Sequence, residues 1–142
     1  MISEIREYLT NCVNAVDPDM KQNESAFYNF DIGESVIDYF YQVEIRAIVP
    51  VTREAHRQHQ VTASISIFGI GGTNEVETFD DLMRKAVCIR DTAIDIQEIN
   101  KYDNSIINVI DDGIQAQSLP SDDNSFKIDI NLTLEQAYSL EE

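Results

Sequence analysis

The pattern that constrains this chain most lies near its C-terminus. Phe126, Ile128, Ile130, Leu132 and Leu134 alternate with Lys127, Asp129, Asn131, Thr133 and Glu135. Successive side chains of a strand point to opposite faces, so this period of two predicts a β-strand with one apolar face. Such a strand needs paired neighbours and a covering layer, and the rest of the chain must supply both.

Three further segments read as strands. From Tyr39 to Val51 the odd positions Tyr39, Tyr41, Val43, Ile45, Ala47, Val49 and Val51 are mostly apolar, against Gln42, Glu44 and Arg46. From Val61 to Ile70, Val61, Ala63, Ile65 and Ile67 are expected inward and Thr62, Ser64 and Ser66 outward. Thr52–Gln60 between them reads as a loop too long for a tight hairpin turn. Ile106–Ser118 is rich in β-formers but interrupted by Asp111-Asp112-Gly113, a turn or bulge signal, and Ser121–Asn124 is a turn.

Two helices complete the reading. Ile2, Ile5, Leu9, Cys12, Val13 and Val16 recur at helical spacing, with Ser3 as cap and Glu4 in the first turn. Asp17-Pro18 ends that helix, because the residue before a proline avoids the α region. A second helix is predicted over Phe79–Ile99. Thr78 and Asp81 resemble a capping box, and Phe79, Leu82, Met83, Ala86, Val87, Ala93 and Ile94 form a wide apolar face that Ile89 and Ile96 extend. Asp19–Asp38 reads as an irregular arm with Phe27, Tyr28, Phe30 and Ile32 as an aromatic anchor and a short edge strand; it reaches a neighbouring subunit or folds back as a surface loop. The order α-β-β-α-β-β over a single domain, residues 1–142, predicts an α+β fold with a mainly antiparallel sheet and both helices packed on one face.

Charge narrows the function. The chain carries 26 Asp and Glu against 10 Lys and Arg, a net charge of −16. A surface this negative repels phosphate backbones and anionic membranes. The acidity serves solubility, lines a wall that nucleic acid passes without sticking, or mimics nucleic acid. Cys12 and Cys88 both fall on apolar helix faces, so buried thiols and a reducing cytosol are expected, not a disulfide framework. No signal-peptide core is expected near Met1–Val16, and no apolar run approaches the ~20 residues that span a bilayer.

Motifs for chemistry are not found. His56 and His59 lie three apart without the intervening glutamate that a zinc-protease helix places between histidines four apart. In Gly69-Ile70-Gly71-Gly72-Thr73-Asn74 the third glycine of a dinucleotide fingerprint is an asparagine, and no Gly-Lys-Ser/Thr follows. Asp111-Asp112 and Asp122-Asp123 lack calcium-loop spacing, and adjacent residues of an extended chain face opposite ways. No catalytic residue, cofactor site or metal site is therefore assigned, and the chain is not read as an enzyme.

Charge placement says more. From Tyr102 to Glu142 nine acids, including Asp111, Asp112, Asp122 and Asp123, face the single Lys127, a net −8. Arg46, Arg53, His56, Arg57 and His59 gather instead around the first strand pair. These two groups either complement each other between subunits, as a head-to-tail ring requires, or are simply solvated.

Taken together, the short amphipathic helix Ile2–Val16, the strand pair Tyr39–Val51 and Val61–Ile70, the long helix Phe79–Ile99 and the final pair ending in Phe126–Leu134 resemble the tail terminator (tail completion) proteins of long-tailed bacteriophages. The resemblance lies in element order, size and acidity over nearly the full chain; the Asp19–Asp38 arm has no counterpart. It implies a virion protein assembled in the host cytoplasm, a homohexameric ring that caps the tail tube and meets the head-connector or neck proteins. DNA would pass through without specific binding, past acidic residues such as Asp111, Asp112, Asp122 and Asp123. Arg46, Arg53, His56, Arg57 and His59 would then serve subunit or tube contacts. Another phage neck or connector protein, or an acidic inhibitor that mimics DNA, is the alternative.

Overall fold

The final alternating strand sits inside a sheet, as its pattern requires. The computed structural model describes residues 2–22, 39–53, 56–70, 75–101, 106–118 and 125–138. Within them the elements run α1 (Ile2–Val16), β1 (Lys21–Gln22), β2 (Tyr39–Arg53), β3 (His56–Ile70), α2 (Glu75–Ala93), α3 (Ile96–Asn100), β4 (Ile106–Ser118) and β5 (Ser125–Tyr138). The five strands lie in the order β1-β2-β3-β5-β4, antiparallel except for β1 on β2. This is an α+β fold with helices packed on a largely antiparallel sheet.

The apolar rows of the central strands meet in register: Val61 opposite Leu134, Ala63 opposite Leu132, Ile65 opposite Ile130, Ile67 opposite Ile128. All eight are fully buried, and they share one core with Ile5, Leu9, Cys12 and Val13 of α1 and Leu82, Ala86, Ile89 and Ala93 of α2. Tyr8, which the predicted stripe of α1 omitted, is buried too and donates from its hydroxyl to the Ala93 carbonyl. Lys85 Nζ meets Asp17 Oδ2 at 2.5 Å and ties the end of α1 to α2. Gly69 in β3 lets α2 approach closely; a Cβ there would fall 2.2 Å from Leu82 Cδ1. Its role is packing, while residues 71–74 of that glycine-rich stretch lie outside the described residues.

Several expectations are corrected. Thr52–Gln60 is not a long loop: the β2–β3 ladder continues to Arg53 opposite His56, because its Thr, Gln and His residues pair well enough once the neighbouring strand is in place. The odd-inward alternation of β2 fails beyond Ile45, where a bulge at Arg46 adds a residue. Past it Ala47 and Val49 lie opposite Thr62 and Gln60 on the face away from the core, and Ile48 lies opposite Val61.

The second helix begins at Glu75, so Thr78 is inside it and does not cap it. It stops at Ala93, and Asp95 starts α3 by accepting from the Gln97 amide at 3.0 Å. An aspartate side chain competes for backbone amides in this way and favours a cap over a helix interior. The break turns Ile94 and Ile96 outward, Ile96 to 69 % exposure, where a continuous helix was expected to bury both. Cys88 is exposed, not buried.

Ser64 and Ser66 do face away from the helices, yet both are buried. They donate across to β5, Ser64 Oγ to Asn131 Oδ1 at 2.9 Å and Ser66 Oγ to Asp129 Oδ1 at 2.6 Å, which offsets the cost of withdrawing hydroxyls from water. Lys127 Nζ lies 3.5 Å from Asp129 in the same row. In the expected arm, Lys21 and Gln22 form the two-residue edge strand β1 beside Phe40 and Tyr41; its aromatic residues lie outside the described residues.

Candidate functional site

The sheet places Arg46 and Arg53 on β2, His56, Arg57 and His59 on β3, and Asp111 and Asp112 on β4. β2 lies toward one side and β4 ends the other, with β3 and β5 between them. Of the described residues only Lys21 and Gln22 pair with the outer side of β2, beside Phe40 and Tyr41, so among the described residues that strand is an edge from Gln42 onward.

Arg46 sits at the bulge, exposed, 3.6 Å from Glu44. Arg53 and His56 pair at the end of the β2–β3 hairpin, with Arg57 opposite Thr52. His59 does not belong with them. It lies opposite Pro50 and Gln136, is only 7 % exposed, and burial holds its pKa below the ordinary histidine value. At neutral pH it is uncharged, which removes it from the basic group. The signal was present in the sequence, since His59 continues the odd-numbered inward row of Val61 and Ala63.

Beside the charges, β2 leaves Ala47, Ile48, Val49 and Pro50 exposed. Ile48 is 45 % exposed and Val49 is 51 % exposed, on opposite faces of one strand. Backbone pairing along this edge is obstructed. Pro50 brings no N–H, the Arg46 bulge shifts the ladder, and Arg6 of α1 donates to the Val43 carbonyl at 3.1 Å.

On β4, Asp111 precedes a bulge made by Asp112 and Gly113, whose φ of 104° is easily held by glycine. The two carboxylates diverge, as extended neighbours must. Asp111 turns to the helix side, accepting from the Gly113 amide at 2.9 Å and facing Arg90 of α2 at 3.6 Å. Asp112 turns to the other face and accepts from the Thr133 hydroxyl. Ile110 beside them is partly exposed. Asp122 and Asp123 lie outside the described residues.

No family model matches this chain, and no curated protein does.

One cleft was not foreseen from the sequence. Glu7, Tyr8, Asn11, Cys12, Ala15, Glu98 and Lys101 line about 480 Å³ between α1 and α3. Burial pushes the Cys12 thiol up to about 12 and raises Tyr8 as well, so neither group ionises near neutrality. Lys101 is held by Glu98 at 3.0 Å. The cleft therefore presents no activated nucleophile and no converging charge. Among the described residues no three His, Cys, Asp or Glu side chains gather as metal ligands, and no helix is long and apolar enough to cross a membrane.

Proposed function

We propose that this protein is a structural virion component of a long-tailed phage, a tail terminator whose subunits form a ring that caps the tail tube and joins it to the head connector. The observation that carries the reading is the open half of β2, where Ile48 and Val49 are exposed on both faces of one strand. Together with exposed Ala47 and Pro50 they leave an apolar stretch of strand that a protein partner would cover. Nucleic acid is a poor partner for a chain of net charge −16, but a poor partner suits a passage through which DNA must slide.

The test is the light-scattering mass of the purified protein, with negative-stain imaging alone and after mixing with purified tail tubes. A hexameric mass, annular particles and capping of tube ends support the reading. A protein that stays a single protomer and leaves tubes uncapped overturns it. The same charge favours a second reading, an acidic inhibitor that mimics DNA. That reading predicts a monomer or dimer with salt-sensitive binding to a nucleic-acid enzyme.

A further inference from the structure

Rings can be closed by two-fold contacts or by head-to-tail contacts, and the placement of side chains on this sheet distinguishes them. A two-fold contact brings one patch against its own copy, whereas a head-to-tail contact joins two different patches. The chain carries two such patches on opposite sides of one sheet. One is Arg46 with Ile48 and Val49 on β2; the other is Ile110 with Asp112 on β4. Each couples a charge to an exposed branched aliphatic side chain, and the charges are opposite.

The local charge is uneven enough to matter. Three of the 10 Lys and Arg lie at Arg46, Arg53 and Arg57, a stretch with only Glu44 and Glu54 as acids, in a chain of net −16. A second copy of this chain therefore offers many acidic surfaces to that hairpin and almost no competing cations. On β4 the charge beside Ile110 on the face away from the helices is Asp112, which accepts from Thr133, while Asp111 turns to Arg90 on the helix side. Arg46 on β2 lies 3.6 Å from Glu44 and stays 45 % exposed.

We propose that copies of this chain join head to tail, the β2 edge of one seated through Arg46, Ile48 and Val49 against Ile110 and Asp112 on the β4 edge of the next. Strand directions permit the approach, because β2 and β4 run antiparallel within the sheet. The sheets do not fuse into one ladder. Pro50, the Arg46 bulge and the Asp112–Gly113 bulge interrupt backbone pairing on both sides, so the contact is made by side chains. Such a contact gives specificity through charge and leaves assembly reversible. This inference deepens the ring reading and rests on it only in requiring self-association.

The experiment is light-scattering mass for the wild type, R46E, D112R and an equimolar mixture of the two variants, with far-UV circular dichroism confirming that each is folded. Each variant alone brings like charges together at every contact, and the mass is expected to fall to one protomer. In the mixture, Glu at 46 meets Arg at 112 across one contact and the native pair meets across the next, so an alternating assembly regains the wild-type mass. Should either charge variant misfold, Val49→Lys tests the same patch and is expected to lower the mass as well. Variants that keep the wild-type mass overturn this contact while leaving the ring reading intact. Variants that dissociate but fail to recombine overturn the head-to-tail geometry. A wild type that remains a single protomer at millimolar concentration overturns this contact, and it overturns the ring reading as well only when tail tubes also stay uncapped.

Discussion

Substituting Gly69 by alanine tests the packing of α2 on β3 at a single atom. The added Cβ would lie 2.2 Å from Leu82 Cδ1, 3.1 Å from Cγ and 3.4 Å from Cδ2. Carbon atoms rest at about 3.5–4.0 Å, so the Leu82 side chain must move. It is fully buried among Ile65, Ile67 and the other core residues, and overpacking of this kind costs about 1–3 kcal/mol. Removing a glycine from the unfolded chain returns about 0.4–1 kcal/mol, leaving a net loss of about 0–2.6 kcal/mol. Leu82→Ala alone leaves a cavity and costs about 2–5 kcal/mol. In the double variant the methyl at 69 enters the vacated space, so the clash disappears and the cavity shrinks. The pair should therefore be no less stable than Leu82→Ala alone, a favourable coupling of about 1–3 kcal/mol. Urea unfolding followed by far-UV circular dichroism measures all four proteins. Two penalties that simply add, within about 0.5 kcal/mol, would refute the proposed contact.

Three more expectations concern titration and access. Asp17 has its pKa lowered, first by the hydrogen bond from Lys85, so its contribution to stability is present above the ordinary 3.8 and is lost as pH falls through the lower folded value. Lys85→Met should cost about 1 kcal/mol at neutral pH and flatten that acid limb of the stability curve, read by urea unfolding at several pH values. His59 should titrate below 6.5 in the folded protein, seen in its ring-proton NMR shifts. The unfolded chain then takes up the proton first, so stability declines as pH falls below 6.5, and His59→Gln should weaken that decline. Cys88 should react with a disulfide reagent in the native protein, while Cys12 should react only on unfolding; equal rates would contradict the placement of Cys12 in the core.

Much of the sheet was legible because its signal is strictly local. Val61–Ile67 and Ile128–Leu134 announce their inward rows by alternation alone, and Asp111-Asp112-Gly113 announces an interruption that the structure resolves as a bulge. What escaped was phase. A bulge at Arg46 leaves no compositional trace, yet it reverses every side chain after it, so Ala47 and Val49 were assigned to the wrong face. Asp95 escaped for a related reason: Ile94 and Ile96 continue an apolar pattern across a residue that starts a new helix. In the candidate site, the basic and acidic groups could be seen in sequence, but the distance across the sheet between Arg46 on β2 and Asp112 on β4 depends on strand order. The burial of His59 escaped because residues 52–60 were read as loop, where alternation carries no weight.

The buried pairs Ser64–Asn131 and Ser66–Asp129 bear on how the chain finds its pairing at all. β3 and β5 meet across a separation of 67 residues at Ser64, so their alignment must be chosen between distant segments. A slip of two residues keeps every side chain on its own face. On the helix side it exchanges one branched aliphatic residue for another, Ile65 meeting Ile128 in place of Ile130, and costs little. On the opposite side the same slip leaves Ser64 facing Asp129 but sets Ser66 against Lys127, and the reverse slip sets the Asp129 carboxylate against Phe68, so neither direction restores both hydroxyl bonds. The oily face supplies adhesion without an address, and the small polar row behind it supplies the address.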